Sequence, residues 1–152
     1  MVRQVARTST GIPGLDSILC GGLAANRLYL IDGNPGVGKT TLALQFLLEG
    51  VRLGERCLYV SLSETRDELE AVADSHGWSL EGITVVELSQ VEQTLTPKSQ
   101  NTLFQPAEVE LASLSRLLMG EFDRVDPARM VLDSLSEMRR NYDSYLQALD
   151  SF

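Results

Sequence analysis

The stretch Arg27–Leu48, RLYLIDGNPGVGKTTLALQFLL, decides how the rest of the chain is read. Its first part, Leu28–Asp32, is a short apolar run that predicts a strand, and its last part predicts an amphipathic helix. Between them lies a turn with phosphate-loop spacing: Gly33, four residues, then Gly38, Lys39 and Thr40. Gly33, Gly36 and Gly38 let the backbone bend tightly and bring its N–H groups close to an anion. Pro35 stiffens the loop, and Asn34 and Val37 complete it. The helix that begins near Lys39 aims its positive end at the same spot, with Thr41 in its first turn. Lys39 adds a mobile full charge for the outer phosphates and for the charge that develops as they react. The Thr40 hydroxyl is a hard oxygen suited to Mg²⁺. The whole run from Gly33 to Thr41 is therefore assigned to phosphate binding. A chance match in a chain this long is roughly a 1% event, and the strand–turn–helix setting narrows it further.

Outward from this stretch, strands and helices alternate. Thr8–Leu23 is a turn-rich lead-in in which Asp16–Leu19 forms at most one helical turn. Thr41–Leu53 is a helix that is apolar on most sides, with Gly54 as its C-terminal cap. Cys57–Leu62 reads as a buried strand, and Thr65 with Glu68 forms a capping box for a helix running to about His76. That helix turns Leu69, Val72 and Ala73 inward, and His76 is a partner for its C-terminal dipole. Ile83–Leu88 is a third strand, and Ser89–Pro106 is a polar connection. Glu108–Phe122 is a helix with a Leu111, Leu114 and Leu118 stripe, Met130–Asp133 a fourth short strand, and Tyr142–Phe152 a weak last helix. The alternation predicts an α/β domain with a mostly parallel sheet and helices on both faces. At 152 residues the chain is one domain.

Composition limits the function classes. The formal net charge is −8, which argues against non-specific binding to a nucleic-acid backbone. Cys20 and Cys57 have no metal or redox spacing and read as two buried free thiols in a reducing compartment. Met1–Thr10 has two arginines and no apolar run, and no stretch is long enough to span a membrane. The expected location is the cytoplasm.

In a parallel sheet the ligand lies at the carboxyl ends of the strands. Asp133 ends its strand there and is the candidate Mg²⁺ carboxylate, acting on the metal directly or through water. Glu64 follows the second strand and has two readings. It is the carboxylate that orients an attacking water, or a solvated acid favoured at a helix start.

The residues that carry this pattern resemble the KaiC-like branch of the RecA/RadA-type ATPases. The matching pieces are TGIPGLDSIL (Thr10–Leu19), GGL (Gly21–Leu23), GNPGVGKTT (Gly33–Thr41), SLSET (Ser61–Thr65) and VLDS (Val131–Ser134). The resemblance implies a three-layer RecA-type core, ATP with Mg²⁺, and a homo-oligomeric ring, commonly hexameric, with ATP between subunits. It gives Lys39 and Thr40 the phosphates and Mg²⁺, Asp133 the metal, and Glu64 the region of the catalytic glutamate. It also leaves room for a regulatory protein partner. Clock members of that family carry two glutamates in succession after the second strand, whereas here Ser63 takes the first place. The family also continues past the Asp133 strand, with one later strand between it and the phosphate-loop strand. The expectation is a shortened form of a longer protein, its sheet incomplete at the C-terminus, with nucleotide binding retained and cooperative ring hydrolysis lost. Three other readings stand beside it: a nucleotide-responsive interaction module with little turnover, a DNA-recombination accessory disfavoured by the acidic balance, and a partly folded fragment without activity.

Overall fold

A computed structural model describes residues 5–87 and 106–134. The expected weak helix over 142–152 lies outside the described residues, as does the polar connection expected over Ser89–Pro106 except for Pro106, which begins a helix. The lead-in is more ordered than a turn-rich loop. Its β1 (Arg7–Thr8) and β2 (Leu23–Ala24) pair antiparallel, and α1 (Pro13–Ile18) lies between them. Pro13 sits where the first turn of a helix accepts proline, because the missing N–H has no helical partner there. Asp16 then folds back on the segment before it, accepting from the Ser9 hydroxyl at 2.7 Å and from the Thr10 N–H at 2.8 Å.

The main body is a three-stranded parallel sheet in the order β4 (Ile83–Glu87), β3 (Cys57–Ser61), β5 (Arg129–Asp133). Its register sets Cys57 between Ile83 and Arg129, Tyr59 between Val85 and Val131, and Ser61 between Glu87 and Asp133. Every residue of β3 is buried, as its unbroken apolar run predicts for a central parallel strand. Period-two alternation then divides β3 between two cores. Cys57 and Tyr59 pack on one face with Leu44 and Leu47 of α2 (Lys39–Arg52) and Leu69 and Ala73 of α3 (Arg66–Ser75). Leu58 and Val60 pack on the other with Leu117, Leu118 and Val125 of α4 (Pro106–Val125). Helices thus cover both faces of a mostly parallel sheet, giving the expected three layers.

Caps follow the sequence. Thr65 accepts from the Glu68 N–H while the Glu68 side chain accepts from the Thr65 N–H, closing the box predicted for α3. Gly54 follows α2 with φ of +77°, a left-handed conformation that glycine tolerates without a Cβ clash. His76 caps the C-terminus of α3 and stacks on Trp78, ring centroids 4.6 Å apart.

Two expectations fail. Residues 27–34 have no regular structure, so Leu28–Asp32 is not a strand. Leu28 is 98% exposed and Leu30 76% exposed. A strand is held by its neighbours, and among the described residues β5 pairs only with β3 and no strand pairs with this run. Composition marked the segment as strand-forming, but propensity cannot replace the missing hydrogen-bond ladder. Of the two cysteines, only Cys57 is buried, whereas Cys20 is exposed and adopts φ of +54°. Burial raises the Cys57 thiol above its ordinary range, which keeps it in the unreactive protonated form.

Candidate active site

The geometry of the site begins with two helix starts treated differently. The N-terminus of α3 is filled by its own chain through Thr65 and Glu68. The N-terminus of α2 has Gly38 as N-cap, no side-chain cap and no acidic residue in its first turn. The first N–H groups of a helix have no helical partners, so this end presents donors and positive potential to an anion. Gly36 and Gly38 take φ of +82° and +91°, and a Cβ built on either meets nothing within 4 Å. These glycines serve backbone conformation and open approach rather than close packing. Lys39 reaches back over the loop and donates to the carbonyls of Gly33 at 2.8 Å and Asn34 at 3.1 Å. An ammonium resting on two neutral carbonyls is free to exchange them for phosphate oxygens.

Directly after Lys39, the Thr40 hydroxyl donates to Asp133 Oδ2 at 2.8 Å, across 93 residues of sequence. The sheet makes this meeting possible. Asp133 ends β5 on the face that packs against α2, and α2 starts at the same end of the sheet. The Tyr59 hydroxyl donates to the same Oδ2 at 2.7 Å. Burial, followed by the Asp133 hydrogen bond, pushes this phenol far above its usual range, so it remains a donor.

Glu64 lies at the same end. The loop that carries it is fixed by the buried Ser61 hydroxyl, which donates to the Glu64 carbonyl at 2.6 Å and accepts from the Glu64 N–H at 2.9 Å. Glu64 Oε2 is enclosed and has no hydrogen-bond partner among the described residues. Desolvation raises the Glu64 carboxyl above its ordinary range, and the charges of Asp133 and Glu68 raise it further. One of its carboxylate oxygens is thus withdrawn from solvent, which a fully solvated helix-start acid does not require.

The sign of the shift gives a testable result. A carboxyl raised in the folded state favours folding while protonated, and that contribution is lost as pH climbs through the folded-state value. Glu64→Gln is expected to melt above wild type at pH 7, because the amide carries no charge to desolvate. The gain should shrink toward zero as pH falls to about 4, where wild-type Glu64 is itself protonated. Melting curves across that range decide it, and a variant less stable than wild type at pH 7 refutes the assignment.

No group of three or more His, Cys, Asp or Glu side chains forms a metal cage among the described residues. Thr40 and Asp133 nevertheless fit Mg²⁺. They are hard oxygen donors in contact, and Mg²⁺ keeps several waters and takes phosphate oxygens in place of a full protein cage. No helix among the described residues is long and apolar enough to cross a membrane.

Sequence reading had not singled out Tyr59 or Arg129. Arg129 is 3% exposed and opens β5. It donates to Glu55 at 2.5 Å, to the Ser9 carbonyl at 2.6 Å and to the Phe46 carbonyl at 2.9 Å, with its guanidinium 4.7 Å from the Phe46 ring centroid. Gly50 makes room for it, since a Cβ there would lie 2.7 Å from Arg129 Cδ.

A family model described as "ATPase: KaiC" matches residues 8–148. An Aeropyrum pernix protein named UPF0273 protein is 30% identical over 142 residues, covering 89% of this chain and 56% of that one. A Thermotoga maritima protein of the same name is 39% identical over 78 residues, covering 51% of this chain and 32% of that one. A circadian clock oscillator protein KaiC from Parathermosynechococcus lividus is 28% identical over 144 residues, covering 93% of this chain and 26% of that protein. The chain thus spans between about a quarter and just over half of these relatives. With the match running from the lead-in to beyond the Asp133 strand, the chain belongs to the KaiC ATPase family.

Proposed function

We propose that this chain is a Mg²⁺-dependent ATP-binding domain whose whole protein hydrolyses ATP. The observation that carries the reading is the Thr40–Asp133 contact beside an uncapped helix start. The amides of Gly33 to Thr41 receive the phosphates, and Lys39 exchanges its two carbonyl partners for outer phosphate oxygens. Thr40 and Asp133 hold Mg²⁺, which when bound neutralises charge on the transferring phosphoryl group. Glu64, unpartnered and with a raised affinity for protons, orients the attacking water and takes its proton. Family membership supports assembly of the whole protein into a ring, commonly hexameric, in the cytoplasm.

A second reading is favoured by Ser63, which leaves Glu64 without the preceding glutamate of the clock members. In that reading nucleotide binding drives an interaction with a regulatory protein and turnover is slight.

A non-hydrolysable ATP analogue with Mg²⁺, at about 100 times its Kd, is expected to stabilise the chain by about 2.7 kcal/mol, or roughly 5–10 °C. No shift at millimolar analogue would sink the binding reading. Phosphate release then separates the two alternatives. A rate that Glu64→Gln abolishes supports hydrolysis, while equal, near-background rates support the interaction module.

A further inference from the structure

We infer that Tyr59 is a positioning residue for the metal carboxylate: its hydroxyl, carried on the central strand, fixes the orientation of Asp133 toward the cation. The inference rests on the Mg²⁺–nucleotide reading above. Three observations on separate elements support it.

The first is register. Tyr59 pairs across the sheet with Val131, so Asp133, two residues further along β5, stands on the same face one step diagonally away. Such diagonal neighbours are within reach of an aromatic side chain and out of reach of most others. The bond is made at 2.7 Å.

The second is burial. Tyr59 is 0% exposed, with its ring inside the core formed by α2, α3 and the sheet. Phenylalanine would fill nearly the same volume at no polar cost. A buried hydroxyl has to find a partner, and this one meets the carboxylate that also accepts from Thr40.

The third is the division of labour at Asp133. Thr40 and Tyr59 both donate to Oδ2, leaving Oδ1 out of both bonds. Thr40 stands at the junction of the exposed loop and α2, where it is only half-buried. Tyr59 stands on β3, whose every residue is buried. When the Thr40 oxygen turns to a cation, Tyr59 remains as the stationary donor that keeps the carboxylate from rotating. Groups that orient a metal ligand in this way alter metal affinity without touching the metal.

The test separates Mg²⁺ binding from nucleotide binding. Mg²⁺ is titrated into the full chain at fixed non-hydrolysable ATP analogue, with the melting temperature as readout, for wild type and Tyr59→Phe. The Mg²⁺ concentration at half-effect is expected to rise about tenfold in Tyr59→Phe. The analogue-induced shift in EDTA should be unchanged, which loss of packing alone would not produce. A midpoint within about twofold of wild type overturns the inference. If Tyr59→Phe does not fold, 3-fluorotyrosine placed at position 59 alone keeps ring and hydroxyl. Its ¹⁹F resonance should then move when Mg²⁺ is added to the nucleotide-bound chain, and an unmoved resonance overturns the inference. A wild-type chain that gives no analogue shift at all brings down the binding reading, and this inference with it. A wild-type shift with an unchanged Tyr59→Phe midpoint brings down the inference alone.

Discussion

Arg129→Met is expected to lower the melting temperature by about 6–12 °C, corresponding to roughly 3 kcal/mol. The size follows from what the guanidinium joins. Its side chain is 2% exposed, and it links the lead-in through Ser9, α2 through Phe46 and the approach to β3 through Glu55. Methionine replaces much of the stem and none of the donors. Two carbonyls lose a charged partner, and Glu55, whose side chain is 33% exposed, loses its cation. Because Glu55 still reaches water, the lower end of the range for a broken buried pair applies. Arg129→Lys should recover only part of the loss, since one ammonium cannot reproduce a planar fork spread over three acceptors. The contrast is Arg66, 49% exposed and paired with Glu70, 46% exposed, one helical turn away. Surface pairs of that kind contribute well under about 1 kcal/mol and weaken with salt. The Arg129 effect should persist in 0.5 M salt. A drop of less than 2 °C would show that the buried cation merely fills space.

Arg129 also shows where the sequence stops being legible. The phosphate loop, its helix, the capping box of α3 and the acid ending β5 were readable because each is specified within a few consecutive residues. Glycine spacing, helical period and an apolar run closed by a carboxylate all survive without tertiary context. The roles of Arg129, Gly50 and Tyr59 depend instead on which residues the register sets opposite one another. Cys57 opposite Arg129 and Tyr59 opposite Val131 are relations between strands about 70 residues apart, so no local window contains them. One hint was available: Gly50 interrupts an otherwise strong helix former, and an interior helix glycine costs about 1 kcal/mol unless something needs its space. Leu28–Asp32 fails in the opposite sense. Its local signal was sound, but a strand is completed by a neighbour, and the described sheet ends at β5. The site survives this because Thr40 is delivered to Asp133 by α2, which packs on the sheet through Leu44 and Leu47 whether or not the preceding run is paired.

Lys39→Ala should behave as the mirror image of Arg129→Met, leaving the fold nearly untouched and removing the response to nucleotide. Among the described residues the ammonium bonds the Gly33 and Asn34 carbonyls on an exposed loop. Its loss there should cost less than about 1 kcal/mol. Against a triphosphate the same ammonium forms charge-assisted bonds, and removing it should cost about 2.7 kcal/mol, a hundredfold in Kd. At an analogue concentration 100 times the wild-type Kd, the variant is then only half occupied. Its stabilisation falls from about 2.7 to about 0.4 kcal/mol, so a shift of 5–10 °C shrinks to roughly 1 °C. Arg129→Met, by contrast, should start from a lower melting temperature and keep its shift, because Arg129 opens β5 at the end opposite Asp133 and its partner in α2, Phe46, lies mid-helix, six residues past Thr40. Measured side by side, the two variants separate the residue that holds the fold from the residue that meets the ligand. A Lys39→Ala chain that keeps the full shift would mean that the analogue binds elsewhere, and the loop over Gly33 to Thr41 would lose its assigned role.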